Sequence, residues 1–277
     1  MQFVSQLLNG LQLGSIYALV ALGYTMVYGI VKLINFAHGD LIMVGSYVTL
    51  LLMRRANLPL AVASLGALVF CSVLGVVIER FAYRPLRKAT RISALITAIA
   101  VSLLLQNLCI LLISPDPMFF TDPGLPMITI GVAAVCMILL QLFVKKTKMG
   151  KAMRAVSEDS DAAKLMGINV NMTISLTFAI GSALAAVAAV LYSMTYTQVE
   201  PMMGSMLGLK AFVAAVLGGI GIIPGAMWGG FAIGIVEALT KGYISTSLAD
   251  AVVFGILILV LLVKPSGFMG KNVKEKV

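Results

Sequence analysis

"SEDSDAAKLMG", residues 157–167, breaks a long apolar sequence with a short polar one that has the composition of a helix. Ser157 is placed to cap its N-terminus, and Glu158, Asp159 and Asp161 occupy the first turn, where the helix dipole favours anions. Lys164 sits near the far end, and Gly167 is positioned to stop the helix. A helix of about nine residues is shorter than the roughly 12 to 15 needed for stability alone in water. Its apolar side chains are only Ala162, Ala163, Leu165 and Met166, beside three acids. Helices that rest on lipid are rich in Lys and Arg, and anionic headgroups repel acids. The segment is therefore expected to dock into a protein groove.

What flanks this segment decides the fold. Only 11% of the 277 residues are charged and the mean hydropathy is +1.04, whereas soluble chains carry about 25% charged residues. Apolar runs reach the roughly 20 residues that cross a bilayer core. Spans are expected at 7–30, 33–53, 58–79, 92–113, 127–144, 172–194 and 247–263, with a more complex region at 207–241. The opening MQFVSQLLNG lacks the basic region and small-residue cleavage site of a removable signal, so the first segment reads as a retained span. The expected fold is an all-α polytopic membrane helix bundle of about eight spans. It forms a single transmembrane domain over 1–277, with discontinuous or re-entrant helices and a cytoplasmic helix in loop 145–171.

The net charge of +9 does not point to nucleic acid, because 15 of the 20 basic residues fall in three segments beside apolar runs. These are Arg80, Arg84, Arg87, Lys88 and Arg91; Lys145, Lys146, Lys148, Lys151, Arg154 and Lys164; and Lys264, Lys271, Lys274 and Lys276. The positive-inside rule assigns all three to the cytoplasm. Segment 114–126, with Asp116, Asp122 and four prolines but no basic residue, then lies outside. The N-terminus follows to the outside, as do Arg54 and Arg55, against the rule. Cys71, Cys109 and Cys136 lie within apolar runs at no metal-ligand spacing and read as packing residues.

Two stretches resist continuous helix. In 207–241, Gly218, Gly219, Gly221, Pro224 and Gly225 break the sequence at GGIGIIPG. Two readings fit: a broken segment at membrane depth, tolerated within protein or along a watery cavity, or a simple loop between two short spans. Gly225/Gly229 and Gly230/Gly234 add spacings suited to close helix contact. In 33–47, Asn35, His38, Gly39 and Asp40 interrupt another apolar run. They are read as a helix break at the cytoplasmic mouth beside Lys32, where polarity costs little. The remaining ionisable groups in apolar surroundings are Glu79, Lys210, Glu237 and Asp250, mostly near expected span ends. Ion-coupled carriers need relays of such groups, and an enzyme needs convergent acids and bases. One histidine and scattered acids favour neither. Gly150-Lys151-Ala152 does not complete a phosphate-binding loop, so any nucleotide motor belongs to another chain.

At Asp161, Ala162, Ala163 and Gly167 a resemblance emerges. "DAAKLMG" repeats the E-A-A-x-x-x-G spacing of the cytoplasmic loop in bacterial ABC-importer permeases, with Asp for Glu and without that family's downstream I-x-L-P. Four longer stretches resemble one branch of it, the branched-chain amino acid permeases of the LivH type. They are 9–40 (NGLQLGSIYALVALGYTMVYGIVKLINFAHGD), 150–170 (GKAMRAVSEDSDAAKLMGINV), 210–226 (KAFVAAVLGGIGIIPGA) and 264–270 (KPSGFMG). The resemblance implies a bacterial inner-membrane subunit that pairs with a second, related permease subunit, two ABC ATPase subunits and a periplasmic substrate-binding protein. It implies ATP and magnesium on the ATPases and no cofactor on this chain. Urea and short amides are alternative cargoes in the same family. Arg154, Asp161, Ala162, Ala163 and Gly167 become coupling candidates. Asn35, His38, Gly39, Asp40, Gly218, Gly219, Gly221, Pro224 and Gly225 become candidates for the pathway or gate, which is expected to be mostly apolar.

Overall fold

Backbone that crosses a bilayer must satisfy its hydrogen bonds within the segment, and helices do this. The computed structural model describes residues 2–87, 89–120 and 126–270. It is built from α1 (Gln2–Val31), α2 (His38–Arg55), α3 (Leu60–Ile78), α4 (Arg91–Leu112), α5 (Pro126–Lys146), α6 (Lys148–Glu158), α7 (Ser160–Leu165), α8 (Val170–Tyr196), α9 (Met203–Gly218), α10 (Ile223–Tyr243) and α11 (Ala249–Val263). The end of α3 loosens into a π-helical turn over Glu79–Tyr83. Two-residue strands β1 (Met118–Phe119) and β2 (Gln198–Val199) pair antiparallel, with Met118 opposite Val199. Helices α1, α3, α4, α5, α8 and α10 are long and apolar enough to span a membrane, and α9 and α11 are shorter apolar helices. The expected all-α polytopic bundle is what forms. Lys88, Lys271, Lys274 and Lys276 lie outside the described residues, as does Asp122 with the rest of 121–125.

The described basic segments gather at one end. Arg84 and Arg87 bond Ser175 and Asn171 at the start of α8, while Arg154 and Lys32 share a cavity wall with Pro265. The β1–β2 pair marks the opposite end. Arg54, the exception to the charge rule, donates from Nη2 to the Phe119 carbonyl at 2.7 Å in that opposite region.

Helix α1 forms the centre and buries nearly all of Leu13–Val27. Its closest partner is α10, and the seam is made by absent side chains. A Cβ on Gly14 would lie 2.8 Å from Phe231 Cα, and one on Gly10 the same distance from Ile235 Cα. Gly230 packs on Ala18, and Gly234 on Gly14. The second small-residue pair on α10 faces another neighbour: Gly225 meets Gly218 and Gly229 meets Ala214, both on α9. One helix thus presents two glycine seams about 140° apart around its axis.

Helices α9 and α10 form an antiparallel hairpin that breaks where both readings of 207–241 place it, in a tight turn over 219–222. Gly219 (φ 104°) and Gly221 (φ 94°) adopt left-handed backbone that a side chain would strain. Phe268 N donates to Leu217 O at 2.9 Å, and Met269 N to Gly218 O at 3.2 Å. The C-terminal segment therefore satisfies carbonyls that the end of α9 leaves open.

The expectation for 33–47 needs correction. The helix does break, since residues 32–37 are non-helical and α2 starts at His38. The polar residues are not at a wet mouth, however. Asn35, His38 and Asp40 are 3%, 1% and 0% exposed. His38 packs on Gly23, eight residues before the end of α1, or about 12 Å along its axis. Partners meet part of the cost: Tyr83 donates its hydroxyl to Asn35 Oδ1 (2.8 Å) and Gln106 donates to Asp40 Oδ1 (2.9 Å), while His38 Nε2 and Asp40 Oδ2 are buried without a partner.

The glycine seam predicts the response to overpacking. Gly14→Leu or Gly230→Leu should lose about 1–3 kcal/mol or more, read as a lower melting temperature in detergent. Gly131→Leu, where a Cβ meets nothing within 4 Å, should leave the melting temperature unchanged.

Candidate functional site

The 145–171 loop folds into two helices rather than one. Thr147 caps α6 by accepting from Gly150 N at 3.0 Å, and Gly150, Met153 and Val156 turn inward at threefold spacing. This amphipathic pattern carries α6 through Ser157, so Ser157 is not the cap expected from sequence. Its hydroxyl donates to Arg154 O at 2.7 Å within the last turn. The cap of α7 is Asp159, in extended backbone (φ −151°, ψ 111°), whose Oδ1 accepts from Asp161 N (2.9 Å) and Ala162 N (3.0 Å). Those two amide donors hold its carboxyl below the usual carboxylate range. Gly167 takes φ 81° and ends the turn as expected.

The coupling candidates divide between two faces. Ala163 is buried, and its carbonyl accepts from Ile168 N at 3.0 Å, which seats α7 against its own chain. Asp161 and Lys164 pair at 3.2 Å on the exposed side, where Ala162 is also open. Beyond them Leu165 and Met166 are 90% and 82% exposed. Arg154 points elsewhere, toward Lys145 O at 3.4 Å.

Arg154 also lines a cavity of about 620 Å³ at the basic end, between the close of α1, α6 and the α9–α10 turn. Gly221 shares this wall with Ile220 and Ile222. Gly218 and Gly225 instead press together between helices, Gly219 meets Gly270, and Pro224 occupies the first turn of α10. Asn35, His38, Gly39 and Asp40 line neither this cavity nor the one described next. Gly39 packs backbone to backbone on Gly204 and Gly208.

A second cavity of about 400 Å³ lies toward the opposite end and holds groups that sequence reasoning undervalued. Lys210 and Glu237 are not near span ends: Lys210 lies seven residues into α9, and Glu237 six residues before the end of α10. Lys210 Nζ contacts Glu237 Oε1 at 2.8 Å and Asp250 Oδ1 at 2.6 Å. Lys241 Nζ reaches Glu237 Oε1 at 2.7 Å, and Tyr17 donates its hydroxyl to Glu237 Oε2, also at 2.7 Å. The available signal was a single lysine inside the apolar run LGLKAFVAAV, which needs a buried partner.

A third cluster joins α3 to the helix that follows the coupling segment. Buried Glu79 accepts from Ser175 Oγ at 2.6 Å and pairs with Arg84 and Arg87, while Arg87 also donates to Asn171 Oδ1 at 2.7 Å. Ser175 and Asn171 are in the first two turns of α8, just after α7. A shift of α7 therefore has a polar route into the bundle.

The Asp159 cap predicts a pH response. Its folded pKa lies below the unfolded value near 3.9. Its contribution is therefore complete above that value and is lost as pH falls through the folded pKa. Amide exchange at Asp161 and Ala162 should show more protection in wild type than in Asp159→Ala at pH 6. The difference should shrink as the carboxyl protonates, and Asp159→Asn should keep the cap.

Comparison with known proteins identifies the family. The profile of the family described as branched-chain amino acid transport system / permease component matches residues 6–261. The chain is 44% identical to the high-affinity branched-chain amino acid transport system permease protein LivH of Escherichia coli K12, over 99% of this chain and 98% of that one. It is equally similar to the permease protein BraD of Pseudomonas aeruginosa, with the same coverage. A probable LivH of Methanocaldococcus jannaschii is 29% identical over 94% of this chain and 90% of its own. PsaBC from Streptococcus pneumoniae, solved in complex with Fab, shares the fold at a TM-score of 0.53 and 15% identity, over 96% of this chain and 93% of that one. With residues 6–261 matched and 44% identity over almost the full length, the chain belongs to the family of permease components of branched-chain amino acid transport systems.

Proposed function

We propose that this multi-pass membrane subunit forms part of the translocation pathway of an ATP-driven importer for leucine, isoleucine and valine, and couples that pathway to ATPase subunits in the bacterial cytoplasm. The observation that carries the reading is the outer face of α7. Leu165 and Met166 stand almost fully exposed beside Asp161 and Lys164, at the basic end of the bundle. Apolar side chains presented to water on a capped, rigid turn are suited to a protein groove. Ala163 and Gly167 hold the turn in shape. Asp161, Ala162, Leu165 and Met166 make the contact, and Arg154 faces the inner cavity behind it.

Coupling then follows from rigidity. ATP and magnesium act on two partner ATPases, whose closure moves α7. The Glu79–Ser175 and Arg87–Asn171 bonds pass that motion from the start of α8 to the end of α3. A bundle packed on glycine seams has discrete arrangements rather than a continuum, so a small lever movement selects between an outward and an inward opening. A second permease subunit completes the pathway, and an outer binding protein delivers the cargo.

Cells that lack the gene should lose concentrative leucine uptake and regain it with the wild-type gene. Leu165→Asp combined with Met166→Asp should reduce restored uptake by about tenfold or more, as loss of interface anchors does. The subunit should remain membrane-inserted at normal abundance. Full uptake by this double variant would remove the coupling role from α7. Gly167→Val should act indirectly, through about 1–2 kcal/mol of left-handed backbone strain.

A further inference from the structure

Charges inside a membrane bundle are costly, and replacing a buried ion pair with apolar residues is often neutral or stabilising. The Lys210–Glu237 pair is therefore poorly explained as a fastening. Its surroundings suggest another role, because the pair borders a cavity of about 400 Å³, within the range of small-molecule sites. The geometry points to this cavity as a binding site for the zwitterionic head and apolar tail of a free α-amino acid on its way through the subunit. This rests on the importer reading above and adds where, and by which groups, the cargo is recognised.

Three features match that ligand. First, both signs of charge meet within one hydrogen-bonded cluster: Lys210 and Lys241 each contact Glu237 Oε1, and Glu200 lines the same cavity. An α-amino acid carries an ammonium and a carboxylate on one carbon, so it exchanges into such a cluster without leaving a charge unpaired. Second, α9 begins at the cavity wall with Met203 and Ser205 and has no side-chain N-cap. Met203 N and Ser205 N donate to Glu200 O and Met202 O, so what this end offers a carboxylate is the helix dipole rather than those two amides. Third, the remaining wall includes Met206, Leu207 and Tyr192. Methionine side chains re-pack around branched aliphatic groups of different shape. A urea or a short amide has no full charges for the lysines and Glu237, so the site separates the two cargo classes that the sequence left open.

The test uses the complete transporter in lipid vesicles, with ATP inside, binding protein outside, and labelled leucine and valine as probes. Glu237→Gln and Lys210→Met should each reduce leucine uptake about 10- to 100-fold, the equivalent of one charge-assisted hydrogen bond. ATP hydrolysis should persist. Met206→Trp narrows the cavity from its 44% exposed wall and leaves every charge in place. It should raise the KM for leucine more than that for valine, a selectivity change that a purely structural role would not produce. If the charge variants fail to assemble, this ratio decides. Wild-type leucine uptake with an unaltered leucine-to-valine ratio in Met206→Trp would overturn the site and leave the importer reading intact. Absence of leucine uptake by the wild-type complex would overturn the importer reading itself.

Discussion

The bundle depends on how closely α1 and α10 approach. Their backbones meet at Gly10, Gly14, Gly230 and Gly234, where a single Cβ would overlap the facing chain. Among lipid tails the hydrophobic effect does little to join two helices, so dispersion contact between close backbones does more of the work. Once α1 is fixed in the centre, α10 turns its other glycine face to α9. The α9–α10 turn then falls at the basic end, and the cavity there acquires its floor. The charged cavity depends on the same contact, because Tyr17 and Glu237 meet across it at 2.7 Å.

The two proposed roles fall at opposite ends of this frame. At the basic end α7 is a small protrusion whose shape is set by Asp159 and Gly167, and whose apolar tips are exposed. Toward the other end lies a cavity where lysines, glutamates and tyrosines converge. Between them α8 spans the bundle, bound near its start to Glu79 and near its end to Ser46 and Gln12 through Ser193 and Thr195. A single helix thus touches polar groups near both ends, as the proposed coupling of a cytoplasmic motor to an outer site requires.

Five of the seven expected spans were readable because composition and run length leave few alternatives in a bilayer; 33–53 became α2, which is not among the helices long and apolar enough to span, and 247–263 became the shorter α11. The stop at Gly167 was readable for a similar local reason, as was the break before His38. Readings failed where tertiary partners decide. Ser157 and Asp159 are both good caps, and the inward spacing of Gly150, Met153 and Val156 settles the choice by extending α6. The depth of Asn35 and Asp40 depends on Tyr83 and Gln106, which are distant in sequence. Lys210 and Glu237 are 27 positions apart and pair only because the α9–α10 hairpin closes. Ala163 belongs to a known spacing pattern, but the pattern does not say that its side chain faces inward.

The central claim is that a separate cytoplasmic motor grips α7, and proximity measures this directly. A chain with Cys71, Cys109 and Cys136 replaced by serine and Met166→Cys added would be cross-linked in intact membranes by a short thiol reagent. The account predicts a covalent product with an ATPase subunit whose yield changes when nucleotide binds. It also predicts that impermeant reagents reach Cys at this position only from the cytoplasmic side. Labelling from the outer side, or no ATPase product in a complex that transports leucine, would contradict it.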